Sequence, residues 1–102
     1  MHSIRKISIG TANFDKNYGA ISSNKIFTIN KINKILKESK KLKINTIDTS
    51  STYGDVEKKL GNCNLKDWKV ITKLPKLNLD SVSIEDQIFK YTLSSINRLN
   101  IK

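Results

Sequence analysis

Three places in this 102-residue chain join an apolar, β-branched run to a polar group capable of chemistry. The run at 4–9 stops at Gly10-Thr11. The run at 44–47 stops at Asp48-Thr49 and leads on to Tyr53-Gly54, and the run at 68–72 ends in Thr72-Lys73. If the three runs are parallel strands, their carboxyl ends share one rim, the place where ligands bind in parallel α/β folds. That rim would hold a carboxylate, a phenol and an ammonium. A phenol, with an ordinary pKa near ~10, is a poor proton donor at neutral pH. An ammonium within a few ångströms favours the phenolate and lowers that value. A carboxylate paired with the ammonium fixes its position and keeps it charged. The set would be a general acid suited to protonating an oxygen on which negative charge is building. Each residue also has an ordinary explanation. A strand-terminal Asp is a common turn or cap residue, a Tyr-Gly in a loop is commonly packing, and a Lys after an apolar run commonly faces solvent. Placement on one rim is what favours the chemical reading.

The intervening segments supply the connections that such a rim requires. Residues 10–23 carry Gly, Asn, Asp and Ser and read as a long loop. Ile26, Ile29, Ile32, Ile35 and Leu36 recur at three- and four-residue spacing, with Lys and Asn on the other face. This predicts an amphipathic helix ending near 39–41, with Ser22 or Ser23 as its N-cap. Asp55 is placed to cap a short helix over 56–60 that Gly61 would stop. Pro75 limits continuation of the third strand. Ser83, with Asp86 in the capping-box position, opens a last helix. Its buried stripe is predicted to run through Ile84, Ile88, Tyr91 or Thr92, Ile96 and Leu99. The order β-α-β-α-β-α, without a hairpin, calls for a parallel sheet with right-handed crossovers. No repeat, low-complexity tract or domain boundary interrupts it.

This length allows one domain at most. Ile, Leu, Val and Phe make up 30 of the 102 residues, more than the roughly 20% below which a charged chain tends to stay disordered. The single cysteine, Cys63, excludes an internal disulfide and suits a reducing cytosol. Residues 1–6 offer no apolar run long enough for a signal peptide, and no stretch approaches the ~20 apolar residues of a membrane span. A soluble, cytoplasmic protein is expected. The formal net charge of +10 points towards polyanions. However, 17 of the 19 basic residues are Lys and only Arg5 and Arg98 are Arg, the residue that reads bases and phosphates bidentately. The Lys excess accompanies 11 Asn and 15 Ile, as an AT-rich coding sequence would impose, and it is scattered along the chain. Nucleic acid is therefore not the expected partner.

The rim residues resemble the aldo-keto reductase family. Residues 47–61, Ile-Asp-Thr-Ser-Ser-Thr-Tyr-Gly-Asp-Val-Glu-Lys-Lys-Leu-Gly, are similar to the family signature. In that signature Asp-Thr-Ala is followed at fixed spacing by Tyr-Gly, Ser-Glu and Leu-Gly. Upstream, residues 9–14 with Tyr18-Gly19 resemble the first-strand motif, and downstream residues 70–75 match the third-strand Thr-Lys motif. The resemblance implies a (β/α)8 TIM barrel of the α/β class that reduces aldehyde or ketone carbonyls with NADPH and without a metal. It implies Tyr53 as proton donor, with Lys73 and Asp48 as the pair that tunes it. Gly10, Thr11 and Asp48 are implied to lie near the nicotinamide and its ribose. Tyr18 either joins that site or packs in the first loop. Two departures are local: Ser50 stands where Ala is usual, and Val56 replaces the Ser before Glu57, so Asp55 must cap that helix.

Such a barrel needs about 250 residues, and the order above supplies three βα units. The family's fourth catalytic position is a His after the fourth strand, and the only histidine here, His2, stands at the start of the chain. The family's residues for the cofactor's adenine and phosphates lie in its carboxyl-terminal half. The expectation is an amino-terminal fragment of one barrel domain spanning 1–102, without turnover alone and with an exposed edge on its third strand. Two alternatives remain: a degenerate module binding an anionic partner through its Lys surface, and one piece of a barrel completed by a second chain.

Overall fold

The computed structural model describes residues 6–15, 26–80 and 83–102. Three strands, β1 (Ser8–Gly10), β2 (Thr46–Asp48) and β3 (Lys69–Ile71), alternate with three helices, α1 (Ile29–Lys41), α2 (Val56–Gly61) and α3 (Ile84–Leu99). The sheet is parallel in the order β1-β2-β3, with Gly10 opposite Asp48 and Asp48 opposite Ile71. It is an open sheet of the α/β class. The ladders are shorter than the apolar runs that predicted them. The first strand begins at Ser8 and takes in Gly10, while Ile4 and Arg5 lie outside the described residues.

Strand parity divides the sheet into two unlike faces. Ile9, Ile47 and Val70 point to the helix layer, where they pack with Ile32 and Leu36 of α1, Val56 and Leu60 of α2 and Leu99 of α3. Ser8, Gly10, Lys69 and Ile71 are exposed on the other face, which no described element covers. Parallel sheets normally have both faces buried, so this one is half clad.

α1 begins three residues later than its apolar spacing suggests, because Thr28 is the cap and accepts from the Lys31 N–H at 3.2 Å. Ser22 and Ser23 lie outside the described residues. At the far end the backbone turns left-handed at Lys43, φ 67°. The Lys43 and Ile44 amides donate back to Lys40 and Ser39 carbonyls, at 2.9 and 3.2 Å. α3 starts as its capping box predicts, with Ser83 Oγ accepting from the Asp86 amide.

Two expectations about helix ends need correction. Asp55 makes no side-chain cap on α2. Its backbone, at φ −92° and ψ 14°, is not the extended conformation from which a cap side chain reaches back, and its own amide is held by Asp15. Gly61 is the last residue of α2 and not a stop beyond it. A Cβ there would sit 1.9 Å from the Arg98 carbonyl oxygen, so the glycine serves the close approach of α2 to α3.

The buried stripe of α3 also differs. Gln87, Ser95 and Leu99 face inward, whereas Ile84, Ile88, Phe89 and Leu93 are 41–66% exposed. Gln87 is drawn in by two bonds to the Asn78 backbone, at 2.8 and 2.6 Å. Of the predicted stripe, Leu99 is buried, whereas Ile84 and Ile88 are exposed in the amino-terminal half of the helix. Among the described residues, no helix is long and apolar enough to cross a membrane.

Candidate active site

Asp48 ends the central strand on the uncovered face. Its backbone carbonyl is held by the Thr11 amide at 3.2 Å and the Thr11 hydroxyl at 3.1 Å, and Thr11 itself is fully buried. Beside it, Gly10 leaves open space: a Cβ there would meet nothing within 4 Å among the described residues. Lys73 lies two residues beyond Ile71, the partner of Asp48 in the ladder, so parity returns its side chain to the same face. Its ammonium donates to Asp48 Oδ1 at 2.5 Å and to the Thr49 carbonyl at 2.9 Å.

The loop that carries Tyr53 is tied down at several points. Ser51 donates to the Lys73 carbonyl through its amide at 3.1 Å and its hydroxyl at 2.7 Å. Ser50 Oγ accepts from the Thr52 amide, and the Tyr53 amide donates to the Ser50 carbonyl at 3.2 Å. Gly54 follows in the left-handed region, φ 60°, where the absence of a Cβ also admits the Asp15 carboxylate. One Asp15 oxygen accepts from the Asp55 amide at 2.9 Å. So held, the Tyr53 ring lies with its centroid 5.3 Å from the Lys73 nitrogen.

Asp48, Tyr53 and Lys73, expected to meet from the sequence, are therefore in one cluster at the carboxyl ends of β2 and β3. Lys73 is pushed above the ordinary lysine range, first by its hydrogen bond to Asp48. Partial desolvation opposes this, and the Asp48 charge and the Tyr53 phenol add support. The ammonium is thus kept charged beside a phenol, the combination a proton donor requires. Tyr18 lies outside the described residues.

Several contributors were not foreseen from the sequence. Asp15 lies in a stretch whose composition indicates only a loop, and Ser51 is a generic turn residue by type. Glu57, visible in the sequence only as part of the motif, is 1% exposed. It accepts from Thr72 Oγ1 at 2.7 Å and from Arg98 Nε at 2.8 Å. Its place directly after Val56 and three residues before Leu60, on the same side of the helix as Leu60, is the available signal. Among the described residues no group of three or more His, Cys, Asp or Glu could hold a metal ion. A cavity of about 630 Å³, lined by Cys63, Trp68, Val70 and Ile101 among others, lies towards the opposite end of β3 and includes none of the cluster.

No family model matches the sequence, and no curated protein matches it. Solved structures do match. One is PA4992, a proposed aldo-keto reductase from Pseudomonas aeruginosa, with a TM-score of 0.73 and 22% identity over 92% of this chain. A second proposed aldo-keto reductase from Pseudomonas aeruginosa gives a TM-score of 0.70 and 24% identity, also over 92% of this chain. The chain spans only 38% and 36% of the length of these two proteins. At such identities the likeness concerns the fold. In fold, the chain resembles a fragment of an aldo-keto reductase, three parallel βα units of its barrel.

Proposed function

We propose that the chain is the amino-terminal part of a (β/α)8 barrel that reduces aldehyde or ketone carbonyls with NADPH, in the manner of aldo-keto reductases. The observation that carries this reading is the junction of Asp48, Tyr53 and Lys73 on the uncovered sheet face. In the reading, Tyr53 gives its phenolic proton to the carbonyl oxygen as negative charge builds there. Lys73 stabilises the phenolate left behind, and Asp48 holds the ammonium in place and charged.

The residues present fit the nicotinamide end of the cofactor. Among the described residues, Gly10 leaves room for a flat ring to approach the backbone next to Asp48, and the Asp48 side chain, 40% exposed, is reachable from the same side. Thr11, with its hydroxyl committed to the Asp48 carbonyl, would contribute by holding that strand end. When bound, the nicotinamide supplies the hydride to the carbonyl carbon. Sites for the adenine and phosphates, and a histidine for the carbonyl, would come from further strands, so the 102 residues are expected to show no turnover alone. The reading needs no metal.

A second chain could supply those strands. The exposed apolar residues Ile84, Ile88, Phe89 and Leu93 on α3, with a β3 that pairs only with β2 among the described residues, favour cover by further polypeptide. Co-purification of a partner carrying five βα units would support a split barrel, and a stable soluble monomer would count against it.

The test of the main reading is to read the coding DNA past codon 102 in all three frames. A strand ending in His followed by further βα units is the expected result. A continuation without barrel character would overturn the proposal.

A further inference from the structure

We infer that Glu57 is a positioning residue for Lys73, acting through Thr72, an inference that rests on the reading of Asp48, Tyr53 and Lys73 as the reacting cluster. A carboxylate 1% exposed must have its oxygens satisfied, because an unpaired buried charge is strongly unfavourable. The two oxygens of Glu57 are used differently. Oε1 takes Nε and Nη2 of Arg98, at 2.8 and 2.7 Å, and so joins α2 to α3. Arg98 is steadied in turn by Ser95 Oγ at 3.3 Å. Joining the two helices needs nothing more. Oε2 is used elsewhere: it accepts from Thr72 Oγ1 at 2.7 Å.

Thr72 directly precedes Lys73, and by parity its side chain lies on the helix side of the sheet while that of Lys73 lies on the uncovered side. The Glu57 bond therefore anchors the backbone just before Lys73 from below. Ser51, through two bonds to the Lys73 carbonyl, anchors the same residue from the rim. Between these anchors the start of the long lysine side chain is fixed, and its ammonium is delivered to Asp48 Oδ1 and the Thr49 carbonyl. Geometry of this kind governs rate: a misplacement of about 1 Å in a reacting group can cost ~100-fold. The charged and titratable groups around the ammonium are Asp48 from β2 and Tyr53 from the following loop. Glu57 bears on it only through the backbone.

The experiment uses the 102-residue chain with ¹³C-labelled lysine. The Lys73 Cε resonance, assigned by its loss in Lys73→Arg, is followed by NMR as pH is raised through the lysine range. Asp48→Asn is measured first and is expected to lower the Lys73 midpoint. If it does not, the reading of the cluster fails, whatever Glu57 does. With that shift established, Thr72→Val and Glu57→Gln are expected to lower the midpoint by roughly half a pH unit, while Thr72→Ser, which keeps the hydroxyl, retains the parent value. A purely structural Glu57 would lower the melting temperature and leave the midpoint in place. Thr72→Val leaves the Glu57–Arg98 pair intact, so it decides the matter even if Glu57→Gln does not fold. A folded Thr72→Val chain with an unmoved midpoint, beside an Asp48→Asn chain in which it has moved, would overturn the inference.

Discussion

The Lys73 ammonium reaches across the ladder from β3 to β2 and donates to Asp48 Oδ1 at 2.5 Å, although Asp48 pairs in register with Ile71, two residues earlier. The lysine is therefore not simply opposite the acid. It extends past the end of the ladder and leans back over the strand end, which leaves its nitrogen between Asp48, the Thr49 carbonyl and the Tyr53 ring.

This pair gives stability a defined pH dependence. Lys73 is raised above its ordinary value by Asp48, so its contribution is fully present below the unfolded lysine pKa of about 10.4 and disappears as pH rises through the higher folded value. Both side chains are substantially exposed, 50% for Lys73 and 40% for Asp48, so the contribution belongs in the range of about 0–1 kcal/mol. Denaturant midpoints measured between about pH 9 and 12 should fall more steeply for the parent chain than for Asp48→Asn. Parallel curves would show that the pair adds nothing to folding.

Gly54 is favoured by its left-handed backbone, and the Asp15 carboxylate occupies the place of a Cβ and would have to swing aside for one. Gly54→Ala should cost about 1–3 kcal/mol in denaturant unfolding. Adding Asp15→Ala removes the collision but not the backbone strain, so the double variant should recover part of the loss beyond additivity. A Gly54→Ala chain as stable as the parent would show that the Tyr53 loop is not held as described.

At the contact of α2 with α3, Gly61→Ala places a Cβ against the Arg98 carbonyl oxygen, and a backbone atom cannot swing aside. A loss of about 1–3 kcal/mol is expected. Glu57→Ala should cost about 3 kcal/mol, the lower end for breaking a buried pair, because Arg98 is 41% exposed and can be rehydrated. Thermal melts of both variants check the ranking.

Thr49 Oγ1 is buried with no hydrogen-bond partner among the described residues. Thr49→Val keeps the shape and removes the unmet group, so it should raise stability by about 1 kcal/mol. Destabilisation would mean that the hydroxyl has a partner in solution.

The βα order, the parallel sheet and the rim cluster were legible because they rest on short-range signals. β-branched runs ending in Asp48, Thr72 and Lys73 give strand positions, and parity then gives the face. The helix details were less legible because tertiary contacts decide them. Thr28 and not Ser22 or Ser23 caps α1, Asp55 is diverted by Asp15, and Gly61 answers to a carbonyl 37 residues later in the chain. The apolar row of α3 illustrates the same limit. Spacing identifies Ile84 and Ile88 as one face of a helix but not what lies against that face, and Gln87 is buried instead through its bonds to the Asn78 backbone. Spacing alone also could not assign Glu57 two partners on different elements.

The most direct test of the proposed chemistry is the rate of NADPH oxidation with an aldehyde substrate by a protein that carries these residues together with the remaining barrel strands, compared with its Tyr53→Phe variant. Turnover by the parent and a fall of at least about 100-fold in a folded Tyr53→Phe variant are predicted, as removal of a general acid requires. A folded Tyr53→Phe variant that reduces the aldehyde at the parent rate would contradict the assignment of Tyr53 as proton donor, and with it the role given to Asp48 and Lys73.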